Sequence, residues 1–188
     1  MQNSINNNYY SKQQLKKMNF KSIGENVKIS KNTFILNPEK IKIGNNVRID
    51  AFTTITSNNL IEIGSYVHIS CNVYINGADK IFIGDFCGLA AGVKIFSSVD
   101  DYSGDYLTNP TIPKIYSNVT KGEIVFEKHV IVGSNSVVLP RVTLKMGSAV
   151  GALSLVNKSL ESWYIYMGVP ARKIKKRQKK ILKLEGLI

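Results

Sequence analysis

One interval organises most of this chain. An Ile-Gly pair recurs every twenty residues, and the Ile of each pair is followed by an apolar residue six and twelve positions later. The resulting sets are Ile23, Ile29, Ile35; Ile43, Ile49, Ile55; Ile63, Ile69, Ile75; and Ile83, Leu89, Ile95. A fixed period outranks local signals when a fold is predicted. A period of six matches neither the helical 3.6 nor the 2 of an ordinary strand.

The period predicts a solenoid of triangular coils. Six residues make a short strand and a corner, so that three sixes close one coil with the Ile side chains inside. Coils stack at roughly 4.8 Å, the usual distance between paired strands. Two further residues complete each coil. The recurring glycines fall at corners, where a residue without Cβ is least costly: Gly24, Gly44, Gly64 and Gly84. A β-rich scaffold without activity is the plain alternative.

The repeat stops after Phe96 and resumes at Phe126. Residues 97–123 keep no register of six and contain two prolines, several aromatic residues and many polar ones. A connection of this length within a compact fold is usually functional or disordered, and its composition favours a functional arm. A loop that packs against a neighbouring subunit is the alternative. Beyond it, apolar residues recur every six without additions, which predicts tighter coils: Val132, Val138, Leu144, Val150 and Val156.

The charge of the chain is concentrated near one end. Lys and Arg number 25 against 13 Asp and Glu, a net charge of +12, and many of the basic residues follow Arg172. Such a balance first suggests nucleic acid. The tail lacks the interleaved aromatic residues of a single-strand binder, however, and we expect no nucleic-acid partner. It is amphipathic, which predicts a helix packed on a coil or subunit and leaves open peripheral contact with a membrane.

Smaller features complete this picture. Ser11 and Gln14 predict a capping box for a short helix between Tyr9 and Phe20. Cys87 occupies an inward repeat position, whereas Cys71 falls near a corner, and their spacing matches no metal site. The first residues lack the apolar core of a secretory signal, and no run reaches the length of a membrane span. We therefore expect a cytoplasmic protein.

Two later segments carry a resemblance to a known family. The run VIVGSNSVVLPRVTLKMGSAVGALSLVNKSL, followed by GVPA at 168–171, resembles the C-terminal coils of the hexapeptide-repeat acyltransferases. With DDYSGDYLTNP at 100–110, it points to the galactoside, maltose and polysaccharide O-acetyltransferases. Arg141, Lys145 and Met146 depart from the usual corner residues. The resemblance covers roughly residues 20–175.

The resemblance implies an all-β fold, a left-handed parallel β-helix with a long excursion loop and short N- and C-terminal helices. We expect one domain over 1–188, composed of an N-terminal segment (1–22), coils (23–96), the excursion (97–123), coils (124–160) and a C-terminal extension (161–188). The family assembles as a homotrimer whose active sites are shared between subunits.

The implied activity is transfer of an acetyl group from acetyl-CoA to a sugar hydroxyl, in the biosynthesis of a surface polysaccharide such as an O-antigen or capsule. General-base catalysis in a ternary complex suffices for this reaction, and no metal is expected. Two alternatives stay open: an N-acetyltransferase acting on a nucleotide-linked amino sugar, and a non-catalytic β-helix scaffold.

The general base is where the sequence departs from the galactoside-type enzymes. Those enzymes place a histidine at the start of the excursion, where this chain has Asp100. The chain contains two histidines, His68 and His129. We interpret His129 as a structural residue at a surface corner. His68 faces outward one coil below the excursion, so we expect it to act as base, oriented by Asp100 or Asp101. A carboxylate acting alone is the alternative.

The remaining site residues are assigned by resemblance. The expected acceptor-binding residues are Ser70, Asn72, Tyr102, Asp105 and Tyr106. The expected contacts of the acetyl-CoA co-substrate are Ser134, Ala152, Asn157, Lys158, Arg172 and Lys175. Ala152 would act through its backbone, and the basic side chains would meet phosphate oxygens. Asn157 stands where a Thr is more usual in the family.

Overall fold

A computed structural model describes residues 8–188, and it is a left-handed parallel β-helix. Each coil contributes one short strand to each of three sheets, and strands of successive coils pair in parallel. The predicted fold class is therefore confirmed. Within residues 8–188, no helix is long and apolar enough to cross a membrane.

The strands of the first sheet are β1 (Ser22–Ile23), β4 (Ile41–Ile43), β7 (Ile61–Ile63), β10 (Ile81–Ile83), β15 (Ile124–Phe126) and β18 (Thr143–Leu144). The second sheet contains β2 (Lys28–Ile29), β5 (Arg48–Ile49), β8 (His68–Ile69), β11 (Gly88–Leu89), β16 (Ile131–Val132), β19 (Ala149–Val150), β21 (Tyr164–Met167) and β22 (Arg172–Lys176). The third contains β3 (Phe34–Leu36), β6 (Thr54–Ser57), β9 (Tyr74–Gly77), β12 (Lys94–Phe96), β17 (Val137–Val138) and β20 (Leu155–Val156).

The register follows the sequence repeat. Ile41 pairs with Ile61, twenty residues on, whereas Val125 pairs with Thr143, eighteen residues on. The later coils are therefore tighter, as predicted. The inward residues of all three sheets are buried and form one continuous core, in which side chains such as Ile49, Ile69 and Leu89 are at most 1% exposed. Each such Ile or Leu contributes about 1.5–3 kcal/mol by its removal from water.

The recurring glycines have a different role from the predicted one. None of Gly24, Gly44, Gly64 and Gly84 adopts a positive φ. A Cβ on Gly44 would instead lie 2.7 Å from the carbonyl carbon of Gly64 in the next coil. Glycine is thus required because the backbones of successive coils approach closely here. The left-handed corner that follows is occupied by another residue, such as Asn46 or Tyr66.

The excursion interrupts the coils between β12 and β15. It leaves the third sheet through β13 (Ser98–Val99), returns through the antiparallel β14 (Thr120–Lys121), and re-enters the first sheet at Ile124. A 3-10 turn lies at Lys114–Tyr116. Much of this segment is exposed, including Tyr102 at 91% and Ile115 at 79%. It is therefore an arm that projects from the coils.

The two ends close the solenoid. Helix α1 (Lys12–Lys17) starts at the predicted capping box, because the Ser11 side chain accepts from the Gln14 amide and the Gln14 side chain accepts from the Ser11 amide. A 3-10 turn at Pro38–Lys40 follows in the first coil. The tail is not one helix: β21 and β22 form an antiparallel hairpin, and only α2 (Ile181–Glu185) is helical. Residues Arg172–Lys176 form a strand because they pair with β21, although the amphipathic pattern of the tail predicts a helix.

The two cysteines differ in their surroundings, and we expect them to differ in reactivity. Cys87 is buried, and burial raises the pKa of its thiol to about 12. Cys71 is partly exposed. Because the thiolate is the reactive form, native protein treated with a disulfide reagent at pH 8 should show one reactive thiol, and the second only after unfolding. Cys71→Ser should remove the fast reaction. A fast thiol in that variant would contradict this assignment.

Candidate active site

A hollow lies on the outer face of the second sheet, where it meets the corner leading to the third. Its volume is about 380 Å³, and its lining residues are His68, Ser70, Gly88, Leu89, Ala90, Ala91, Ile131 and Ser134. We call it the His68 hollow. It exists because Gly88 follows His68 in register on the outer face and contributes no side chain. Three predicted site residues, His68, Ser70 and Ser134, therefore meet in one place.

His68 is held by a carboxylate from the preceding coil. Its Nε2 lies 2.8 Å from Oδ2 of Asp50, while its side chain remains 52% exposed. Asp50 is only 16% exposed, and its other oxygen, Oδ1, accepts from Arg48 Nε at 2.7 Å and from the Tyr9 hydroxyl at 3.1 Å. Asp50 thus orients the imidazole and is itself held by hydrogen bonds with three side chains, those of Tyr9, Arg48 and His68.

The carboxylate of Asp50 is kept ionised. Burial raises its pKa, but hydrogen bonds with His68, Arg48 and Tyr9 outweigh burial, and the net pKa lies below the ordinary value. Because the folded pKa is depressed, these bonds stabilise the fold above the ordinary Asp pKa, and the contribution is lost as pH falls through the lower folded value. The Asp50 carboxylate is therefore charged at neutral pH.

The predicted partners of His68 do not contact it within this chain. Asp101 accepts from the Ser103 backbone amide at 2.8 Å and from Asn118 at 3.4 Å, and it also bonds the Ser103 hydroxyl. Asp100 is exposed beyond β13. Within this chain, parallel stacking places Asp50 beside His68, whereas Asp101 is held by a local turn of the arm. A role for Asp100 or Asp101 at His68 stays a prediction.

The other expected acceptor-binding residues are spread over the surface. Asn72 is exposed at a left-handed corner two residues beyond Ser70. Tyr102, Asp105 and Tyr106 lie on the exposed arm, and no contact joins them to the His68 hollow within residues 8–188. Their assignment to the acceptor stays a prediction.

Unpaired amide groups line the corner beside the hollow. Ala91, Ser134 and Ala152 occupy this corner in successive coils, since the carbonyl of Ala91 accepts from Asn135 and that of Ser134 from Leu153. Among the described residues, no acceptor is bonded to the backbone N–H of any of the three. The corner therefore presents donors at coil spacing, roughly 4.8 Å apart. Such a column can bind the carbonyl oxygens of an extended ligand.

The remaining expected cofactor contacts lie nearer the C-terminal end of the solenoid. Asn157 and Lys158 follow β20 directly, and Arg172 and Lys175 lie on β22, opposite Met167 and Ile165. All four expected residues are exposed. Their positive charge suits a phosphate-rich ligand, and their assignment stays a prediction.

His129 is structural, although it is not at the surface. Its side chain is 5% exposed, stacks on Phe86 at a centroid distance of 5.2 Å, and lies 2.7 Å from the Glu185 carboxylate. Lys128 also bonds Glu185, and this bond is the main reason why the pKa of Glu185 is lowered. Arg177 donates to the His129 carbonyl at 2.8 Å. The C-terminal segment therefore covers this corner.

Sequence reasoning missed Asp50, Arg48 and Tyr9. The repeat contained the signal for Arg48 and Asp50, because these residues precede His68 and Ser70 by one twenty-residue coil. Arg48 pairs with His68 across β5 and β8. Tyr9 reaches Asp50 from outside the repeat, so no periodicity could show it. Within residues 8–188, no group of three or more His, Cys, Asp or Glu side chains is arranged to hold a metal.

Comparison with known proteins adds to this geometry. No protein-family model matches the chain. The structure superposes on a variant of AntD, an N-acyltransferase from Bacillus cereus solved with dTDP-4-amino-4,6-dideoxyglucose and coenzyme A, with a TM-score of 0.94 and 46% identity over 96% of this chain and 97% of that chain. AntD is also known in complex with dTDP and 3-hydroxybutyryl-CoA.

Two further relatives are more limited. The dTDP-4-amino-4,6-dideoxy-D-glucose acyltransferase of Escherichia coli is 44% identical over 80 residues, which is 43% of this chain and 42% of that relative's length. A hexapeptide-repeat-containing acetyltransferase from Vibrio cholerae has a TM-score of 0.57 at 19% identity, covering 88% of this chain and 78% of that one, and shows the shared fold alone. The agreement with AntD along nearly the whole of both chains, on coils built from six-residue repeats, confirms the predicted family: this chain belongs to the hexapeptide-repeat acyltransferases.

Proposed function

We propose that this protein transfers an acyl group from acyl-CoA to the amino group of a nucleotide-linked amino sugar. The observation that carries the proposal is the 46% identity with AntD along almost the whole chain, since AntD is an N-acyltransferase bound to such an amino sugar and to coenzyme A. The sequence alone favoured O-acetylation of a polysaccharide, and we propose N-acylation of a nucleotide-linked amino sugar in its place. The E. coli relative, also an acyltransferase for a dTDP-linked amino sugar, supports the same acceptor.

The chemistry requires a base, an oxyanion donor and alignment of two substrates. The amine nitrogen attacks the thioester carbonyl carbon, and its electron pair forms the new C–N bond while the carbonyl oxygen becomes an oxyanion. His68 accepts a proton from this nitrogen. The C–S bond then breaks, its electron pair leaves on sulfur, and the thiolate takes the proton from His68. Amide and free CoA result, and the imidazole returns to its starting state.

Two features of the His68 hollow support these roles. The Asp50 carboxylate, 2.8 Å from His68 Nε2, stabilises the imidazolium that forms during the reaction. The unpaired N–H of Ala91, in the wall of the same hollow, is a donor suited to the oxyanion. Ser134 and Ala152 extend the donor column towards the C-terminal coils, where the amides of an extended pantetheine arm would lie.

Assembly completes the proposal. The His68 hollow is open on its outer side, and the arm of residues 97–123 projects from the coils with Tyr102, Tyr106 and Ile115 exposed. We propose a homotrimer in which the arm of one subunit, with Tyr102, Asp105 and Tyr106, covers the acceptor at the hollow of the next. Asp100 and Asp101 would enter the site in this way.

The linkage of the product tests the function. Purified protein should release CoA from acetyl-CoA or 3-hydroxybutyryl-CoA when a dTDP-linked 4-amino sugar is added. The product should resist mild alkali, because it is an amide. The matched control is the corresponding dTDP-linked sugar with a hydroxyl in place of the amine, which should give no stimulated release. An alkali-labile product formed from the hydroxyl sugar would overturn N-acylation in favour of O-acylation.

A further inference from the structure

The outer face of the second sheet changes in chemical character along the solenoid. The residues that follow one another in register there are Lys28, Arg48, His68, Gly88, Ile131 and Ala149. The three nearest the N-terminal end carry basic side chains, and the three nearest the C-terminal end are small or apolar. We call the first two the Lys28–Arg48 row. His68 therefore stands at the boundary between a positive and a nonpolar half.

Both members of this row are available to a ligand. Lys28 is exposed, and its amino group makes no ion pair or hydrogen bond within residues 8–188. The Arg48 side chain is 56% exposed and donates through Nε to Asp50, so its two terminal amino groups remain free to bind. A surface hollow of about 480 Å³ lies along the row, and its lining residues are Asn26, Val27, Lys28, Asn46, Val47 and Arg48.

The carboxylate that bonds Arg48 already has further partners. The Asp50 carboxylate is shared by Arg48 and His68 and accepts from Tyr9 as well. The single charge of the Arg48 guanidinium offsets that of Asp50, and its terminal amino groups stay available as hydrogen-bond donors. The amine of Lys28 adds a positive charge that no ion pair within residues 8–188 neutralises. An anionic ligand is therefore favoured here.

The distances of Arg48 and Lys28 from His68 suit a diphosphate group. Arg48 lies one coil and Lys28 two coils from His68, which places them roughly 5 and 10 Å along the axis from the base. An acceptor whose amine is at His68 and whose sugar lies over the outer face would present its two phosphates at about these steps. The opposite direction meets Gly88, Ile131 and the column of unpaired amides, which suit an acyl chain and a pantetheine arm rather than a charged group.

We infer that Lys28 and Arg48 bind the diphosphate of the nucleotide-linked acceptor, and that the two substrates enter from opposite ends of the solenoid and meet at His68. This inference rests on the proposed function. It goes beyond it by assigning a direction to each substrate and by giving two residues outside the catalytic pair a role in selecting a nucleoside diphosphate over a free sugar.

Calorimetric titration of dTDP, the nucleotide held by AntD, tests the inference without any turnover. Lys28→Gln should weaken dTDP binding about tenfold, as expected for one charge-assisted bond to phosphate, and Arg48→Gln by at least as much. The matched control is Lys21→Gln, which removes an exposed charge from the same coil on another face and should leave dTDP binding unchanged. Affinity for CoA should be unchanged in all three variants.

The outcomes separate the two proposals. If the wild-type protein acylates the dTDP-linked amino sugar but Lys28→Gln and Arg48→Gln bind dTDP as tightly as Lys21→Gln, the inference is wrong and the proposed function stands. If these variants instead lose affinity for CoA and keep dTDP, the row binds the donor and the assigned directions are reversed. A wild-type protein that neither binds dTDP nor acylates a nucleotide-linked sugar would overturn both.

Discussion

His68→Ala is expected to lower kcat/KM for acyl transfer by roughly 10²–10⁴-fold, the usual contribution of a general base. The loss should appear in kcat rather than in CoA affinity, because the base acts on the reacting amine and does not hold the pantetheine arm. Since the His68 side chain is 52% exposed, the free energy of unfolding should change little. Steady-state kinetics with the dTDP-linked amino sugar, alongside urea denaturation, measures both quantities.

A second variant, Asp50→Asn, tests the same assignment. Asn keeps the shape of Asp50 but removes the charge beside His68, so kcat should fall by less than in His68→Ala. The carboxylate stabilises the imidazolium that forms during the reaction, so the loss should appear in kcat. A purely structural role for Asp50 predicts a lower free energy of unfolding and an unchanged kcat for the folded protein. If His68→Ala kept near-full turnover while Asp100→Ala or Asp101→Ala abolished it, the assignment of the base would be wrong.

Ile69→Ala should cost about 2–5 kcal/mol of unfolding free energy. Ile69 is 0% exposed and lies between Ile49 and Leu89 in the inward column of the second sheet. Each coil packs only on its neighbours, so a cavity here cannot be filled from elsewhere and weakens two coil interfaces. Urea denaturation of the wild type and the variant at one protein concentration measures the loss, because comparisons of apparent stability require the concentration to be held fixed.

The matched control for this variant is Ile131→Ala. Ile131 is the same residue type on the same sheet, but it points outward and is 46% exposed. Its truncation removes less buried apolar surface and should cost about 1 kcal/mol or less. Equal losses in the two variants would contradict the assignment of a single inward core.

Much of the fold was predictable because the repeat is strict. Twenty-residue spacing in the first coils and eighteen in the later ones appear unchanged as strand register. The capping box of α1 was also correct, since it depends on local residue order. The tail was predicted as a helix from its amphipathic pattern, but β21 offers an open edge, and β22 pairs with it instead.

The candidate site was predictable only in part. Periodicity placed His68 on the outer face and near Ser70, because side-chain direction alternates along a strand. The sequence also carried the family resemblance, but it ranked a hydroxyl acceptor first, whereas the similarity to AntD favours an amine. The sequence could not separate the two because both acceptors require the same base and the same acyl donor.

What the sequence determined by itself was the solenoid: the six-residue period dictates which side chains face inward, how many strands each coil has and where the arm departs. What only the tertiary structure decided was which residues meet on the outside. Stacking of coils brings Asp50 rather than Asp100 to His68, leaves the amides of Ala91, Ser134 and Ala152 unpaired at one corner, and aligns Lys28 with Arg48. The reason is physical: the inward pattern is set by burial and repeats in the sequence, whereas contacts between outward residues depend on the packing of neighbouring coils and of distant segments such as Tyr9.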